Sequence, residues 1–118
     1  IAFFISPKLN SAGRLGDASL SVEFLRASSR SLALKLWQEL NQKNEIRKEI
    51  EIELFDQAYP QVDSNDLVSV VWGEEWNEGV IGIIASRLVD KYSKPAIVLS
   101  INSNTAKGSA RSIGDVDI

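Results

Sequence analysis

The spacing of apolar residues changes character twice along the chain. Between residues 30 and 58, Ala33, Leu36, Trp37, Leu40, Ile50, Leu54 and Ala58 recur every three or four positions where the run is dense. That period places them on one face of a helix and predicts a long helix over 30–58, with Ser28 or Ser29 as its cap. Its middle, NQKNEIRKE, is strongly polar, so the helix either links two packed bodies or lies on a surface. Upstream, Ala18, Val22 and Leu25 share a face behind Asp17, which predicts a short helix capped by Asp17 and ending near residue 27. Residues 1–16 predict a loop, because Pro7, Gly13 and Gly16 interrupt them and Ser6, Asn10 and Ser11 favour turns.

Beyond Pro60 the helical period gives way to short continuous runs. LVSVVW, at 67–72, is apolar on both faces and of strand length. GVIGIIASRLVDKY, at 79–92, predicts a buried helix, and AIVLSI, at 96–101, a second buried strand. Strand, helix and strand in so short a span predict a right-handed βαβ unit with a parallel pair. NSNTAKGS reads as a turn, and ARSIGDVDI as the start of a third strand. The fold class expected is therefore α/β: a helical N-terminal segment with a long linking helix, then a βαβ unit in a small, mainly parallel sheet. The division expected is 1–60 for the N-terminal loop and linking helices and 61–118 for the α/β part.

Composition narrows the chemistry. At 118 residues, with 44% hydrophobic and 25% charged residues, the chain is one domain or a piece of a larger one, with a modest core. No apolar run approaches the roughly 20 residues of a membrane helix. The opening IAFFISPKLN has no basic stretch before its apolar residues and no cleavage site after them, so no signal peptide is expected. There is no Cys and no His, which excludes disulfides, thiolate or imidazole metal ligands, and imidazole catalysis. No acidic loop of the calcium-binding kind is present, and the expected metal site in this chain is none. The net charge of -3 conceals a pattern, since residues 51–78 carry acids and no base while both flanks carry a basic excess. A polyanion-binding surface on the flanks is compatible with that distribution, because steering follows the local field.

Three segments carry candidate chemistry. At the strand-to-helix junction, Asn77, Gly79 and Gly82 either let an anion approach the helix N-terminus or simply permit tight packing of helix on sheet. In KGSARS, Lys107, Gly108, Ser109, Arg111 and Ser112 bring cations and hydroxyls around a Gly-Ser step, which is a phosphate-contact set or an ordinary polar turn. PKLNSAGR offers Lys8, Asn10, Gly13 and Arg14 in the same manner. Arg87, on an otherwise apolar helix, either pairs with a carboxylate at the core edge or directs its fork at a phosphate. Trp37 falls on the long helix's apolar stripe and reads as core; Trp72 and Trp76 suit either packing or base stacking.

Taken in order, PKLNSAGRLGDA, the pattern Leu40–Asn41–Asn44–Arg47, WNEGVIGIIASRLVDKYSKPAIVL and KGSARSI resemble the RecJ branch of the DHH phosphoesterase superfamily, in its linking helix and DHH-associated domain. The resemblance implies a fragment of a single-strand-specific exonuclease that degrades DNA from the 5′ end, acting in repair and recombination in the cytoplasm. It implies manganese or magnesium held by a DHH domain outside this chain, and a single DNA strand as partner. It assigns phosphate contacts to Arg14, Ser109 and Arg111, with Arg87 and Ser112 beside them. The family's His after Trp is Asn77 here, which leaves any role of that His unfilled.

On this reading the fragment has no catalytic residue of its own and is inactive alone. Two other readings remain open. One is a DHH-type phosphodiesterase acting on short oligonucleotides or cyclic dinucleotides; the other is a non-catalytic nucleic-acid-binding α/β module. Separation from a catalytic domain is expected to bare apolar surface and favour self-association.

Overall fold

A computed structural model describes residues 2–116. Two compact units divide within the long helix, at Glu49 and Ile50. The sequence reading places the boundary after that helix, near residue 60. The difference arises because Leu54, Phe55 and Ala58 are buried in the α/β core, with Ile50 packed against it, so the last helical turns belong to the second body.

The first unit, Ile1–Glu49, holds α1 (Ser6–Arg14), α2 (Ser19–Leu25) and the greater part of α3 (Arg30–Ala58). The loop expected over residues 1–16 is a helix through most of its length. Pro7 falls in the first turn of α1, where a missing N–H costs nothing, and so it starts the helix and does not break it. Ser11 is fully buried and donates its hydroxyl to Lys8 O at 2.6 Å. Ser21 likewise donates to Leu9 O at 2.6 Å and ties α2 to α1. The N-cap of α2 is Ala18 and not the Asp17 that the sequence predicts; Asp17, one residue ahead of the cap, instead accepts from Ser19 N–H at 2.8 Å and Ser19 Oγ–H at 2.9 Å in a local turn. Those two bonds, the backbone one foremost, hold its carboxyl below the usual carboxylate range. Ser29 caps α3 by accepting from Leu32 N–H at 3.2 Å.

The second unit, Ile50–Ile118, carries the sheet. Its strands are β1 (Ser69–Glu74), β2 (Ala96–Asn102) and β3 (Thr105–Arg111), with α4 (Ile81–Tyr92) crossing between β1 and β2. β2 lies in the centre, parallel to β1 and antiparallel to β3. The βαβ unit is thus as expected, and the sheet is mixed. The turn expected over NSNTAKGS contracts to Ser103 and Asn104, and TAKGS lies on a strand instead of in a turn. Local composition favours a turn there, but pairing along all of β2 overrides it. The third strand expected to start at Ala110 therefore starts at Thr105, and the last two residues of that stretch lie outside the described ones.

Register sorts the sheet into two faces. Ser69, Ala96 and Arg111 stand abreast, as do Val71, Val98 and Ser109, then Gly73, Ser100 and Lys107. On that face Ser69, Val71, Ala96, Val98 and Ser100 are buried, covered by Ile81, Ile84, Ala85 and Leu88 of α4 and by the end of α3. The alternate positions Val70 and Trp72 are about half exposed, as the period of two requires.

One aromatic residue closes this core. Trp76, 5% exposed, lies against the backbone of Gly73: a Cβ there would stand 2.0 Å from the indole. Its Nε1–H donates to Gln57 Oε1 at 2.9 Å, and its carbonyl accepts from Ser100 Oγ at 2.6 Å. One helical turn after Gln57, Gln61 uses both ends of its amide on Trp72. Oε1 accepts from Trp72 N–H at 3.0 Å and Nε2 donates to Trp72 O at 2.8 Å, as a neighbouring strand would.

Gly73→Ala is expected to destabilise the protein by about 3 kcal/mol, at the upper end of overpacking costs, because the fixed indole cannot yield. In Gly108→Ala the close contact is with Leu99 Cδ2, at 2.7 Å, and a leucine methyl can turn away, while Val98 O lies at an ordinary 3.5 Å. It is expected to cost roughly 1 kcal/mol. Urea titration followed by tryptophan fluorescence compares the two, and equal midpoints would contradict the packing described.

Candidate nucleic-acid interface

Lys107, Ser109 and Arg111 occupy alternate positions of β3, on the face that α4 covers. Alternation carries them along one line, with roughly 6.8 Å between successive members. α4 approaches this line through Gly82. A Cβ on Gly82 would lie 3.1 Å from Ser109 Oγ and 3.6 Å from an Arg111 guanidinium nitrogen. The absence of a side chain therefore keeps the Ser109 hydroxyl and the Arg111 fork clear of the helix. Tight packing of helix on sheet is one of the two roles that the sequence allows for glycine at this junction. Gly82 provides it, and the group it admits is β3.

The cations on the line are exposed. Lys107 Nζ sits 2.9 Å from Glu78 Oε2, with their side chains 67% and 43% exposed. Arg111 Nη1 donates to the carbonyl of its neighbour Ala110 at 2.9 Å. Gly108 lies between them on the opposite face, against Leu99. Ser112, past the end of the strand, donates its hydroxyl to Val116 O.

Asn77 and Gly79 are engaged in the turn that opens α4. Asn77 Oδ1 accepts from Gly79 N–H at 2.9 Å, and Asn77 O accepts from Val80 N–H at 2.9 Å and Ile81 N–H at 3.2 Å. Donors that a bare helix N-terminus would present to an anion are thus satisfied by Asn77. Where the family pattern has His, this chain has a residue that closes the turn by itself.

Arg87 faces the end of α3. Its Nη1 lies 3.4 Å from Glu51 Oε1, and its guanidinium carbon 4.1 Å from the Phe55 ring centroid. That surrounding corresponds to the core-edge reading of Arg87. Trp76 is core, and Trp72 is half exposed on the other face of the sheet.

In the first unit, Lys8 Nζ donates to Phe4 O at 3.1 Å and lies 3.8 Å from the Phe4 ring centroid and 5.3 Å from that of Trp37. Asn10 and Gly13 are exposed, and Arg14 is half-buried in the last turn of α1. Asn44, 3% exposed, accepts from Arg47 Nη2 at 3.3 Å, so the polar stretch of α3 contains a buried amide. Glu78 lies within the WNEGVIG motif, but the sequence does not show which cation it meets. Its partner stands 29 positions away, and only the packing of α4 on β3 joins them.

Comparison with known proteins places these residues in a family context. Residues 63–118 match the DHHA1 domain. The chain is 39% identical over 118 residues to the single-stranded-DNA-specific exonuclease RecJ of Bacillus subtilis, covering 96% of this chain and 15% of that protein. It is 36% identical to RecJ of Escherichia coli, over 96% of this chain and 21% of that protein. Among solved structures, RecJ from Thermus thermophilus in complex with Mg2+ superposes with a TM-score of 0.90 at 30% identity, over 98% of this chain and 18% of that one. Exonuclease RecJ bound to manganese gives 0.84 at 30% identity, over 98% and 29%. The chain thus spans between about a seventh and three tenths of the relatives' lengths. Those structures carry metal ions, whereas the described residues here include no group of three or more His, Cys, Asp or Glu able to hold one. Nor is any described helix long and apolar enough to cross a membrane.

Arg87→Ala is expected to lower stability by about 1–2 kcal/mol, through removal of the packing on Phe55 and of a solvent-screened pair with Glu51. Arg87→Lys should recover only part of this, since an ammonium lacks the planar fork. Unfolding midpoints in urea check both, and an unchanged midpoint in Arg87→Ala would remove the structural role.

Proposed function

We infer that this chain, whose residues 63–118 match the DHHA1 domain and which is 39% identical to RecJ of Bacillus subtilis over 96% of its length, is part of a RecJ-type exonuclease. From that premise we propose that it holds a single DNA strand by its phosphates for an exonuclease whose hydrolytic metals are bound outside this chain. The observation that carries this reading is the line of Lys107, Ser109 and Arg111 on one face of β3, kept open by Gly82. Two cations and a hydroxyl at even spacing along a strand suit a ligand that repeats its charge, and contacts of this kind position a polynucleotide without reading its sequence. Arg14 is the corresponding residue of the first unit on the family resemblance.

The chemistry of hydrolysis is assigned elsewhere because the residues described here do not fit a metal. Manganese or magnesium in the DHH part of the larger protein would supply the activated water, and this chain would supply grip and alignment. We assign the parent activity to 5′-to-3′ degradation of single-stranded DNA in cytoplasmic repair and recombination, and no hydrolysis to this chain alone.

Binding should follow the thermodynamics of phosphate neutralisation. Affinity for a fluorescein-labelled oligodeoxynucleotide, measured by anisotropy, is expected to fall steeply with salt. Arg111→Ala should weaken it roughly tenfold, the scale of one charge-assisted hydrogen bond. It should also flatten the log–log salt slope by about 0.7, because one phosphate fewer is neutralised. The weakening should be equal on oligo-dT and on mixed sequences. An effect confined to one sequence would point to base reading and overturn the proposal.

A further inference from the structure

Within the line on β3, one member is already occupied by an anion that belongs to the protein. Lys107 Nζ and Glu78 Oε2 are 2.9 Å apart, and Glu78 sits in the turn that Asn77 forms ahead of α4. The carboxylate is thereby carried on a segment whose backbone is fixed by three hydrogen bonds to Asn77. Lys107, by contrast, is a flexible stem on an edge strand. Its ammonium is drawn to Glu78 in the unliganded protein, so a phosphate arriving at this end of the line has to displace a carboxylate.

We propose that Glu78 is an affinity-determining residue of the β3 phosphate line: its carboxylate occupies Lys107 in competition with the DNA phosphate. This rests on the phosphate-binding reading above and adds to it. The pair is largely exposed, so it is weak and displaceable, as an internal competitor must be. Its reach is also short. Arg111 stands four strand residues from Lys107, roughly 13 Å away. Screening at physiological salt acts over about 8 Å. The negative charge of Glu78 should therefore act on Lys107 and leave the Arg111 end almost untouched.

The test is a double-mutant cycle with the full chain and a labelled oligo-dT, in buffer near physiological salt. Glu78→Gln is expected to tighten binding about two- to fivefold, the worth of an exposed pair. It should also steepen the salt slope by about 0.7, because Lys107 now releases a counterion on its own account. In the Lys107→Gln background the same substitution should give no gain and no change of slope. Thermal midpoints of all variants establish that folding is not the source of the differences.

An equal gain in both backgrounds would mean a general field effect and would overturn the inference, as would no gain in the native background. Arg111→Ala separates the two levels. If it weakens binding while Glu78→Gln does nothing, the competitor role alone is wrong. If neither substitution changes the affinity, or nothing binds the strand, the phosphate reading fails and this inference with it.

Discussion

The placement of Trp76 on Gly73 governs the second unit. An indole can lie on a strand only where the strand has no side chain, and Gly73 provides that opening at the end of β1. The ring is then held by Gln57 from α3 at its nitrogen, and the residue's carbonyl by Ser100 from β2. Three elements thus converge on one residue in the loop before α4. The start of α4 is fixed in consequence, and with it the distance from Gly82 to Ser109 and Arg111. The polar line on β3 depends on a packing event at the opposite edge of the sheet.

This division between a rigid support and a polar line explains why the motifs look as they do. GVIG requires a small residue where α4 meets β3, and KGSAR requires polar residues at alternate positions because only one face of the strand meets the helix. Gly108 and Ala110, between them, lie on the other face, where Gly108 makes room for Leu99. Neither motif accounts for itself: Gly82 has meaning only beside Ser109, and Lys107 only beside Glu78.

Much of this was legible in the sequence where one physical signal dominated. The long helix was expected over 30–58 and runs Arg30–Ala58, because a sustained period needs no tertiary information. The strand–helix–strand unit was legible from burial patterns, with strand ends off by a residue or two. Two segments were misread for opposite reasons. In α1, Pro7 and Gly13 were weighed as breakers without regard to position, although proline suits a first turn. In β3, Lys, Gly, Ser and Ala gave no strand signal, and only pairing with β2 makes the segment extended. The residue types at 107, 109 and 111 were therefore identifiable from the motif, while their alignment on one face was not. Glu78 lay within a quoted motif, but its pairing with Lys107, 29 positions away, had no local signal.

The amide of Gln61 has a further meaning for how such a sheet can grow. By pairing with Trp72 N–H and O, it seals the β1 border at that position with a side chain. The other border of the sheet is β3, the very strand that bears the polar line. Any added strand would stiffen and straighten the row of cations from the side. Sheet extension and the display of Lys107, Ser109 and Arg111 would then be two loads carried by a single segment, so that whatever docks along β3 would also alter the spacing of that row.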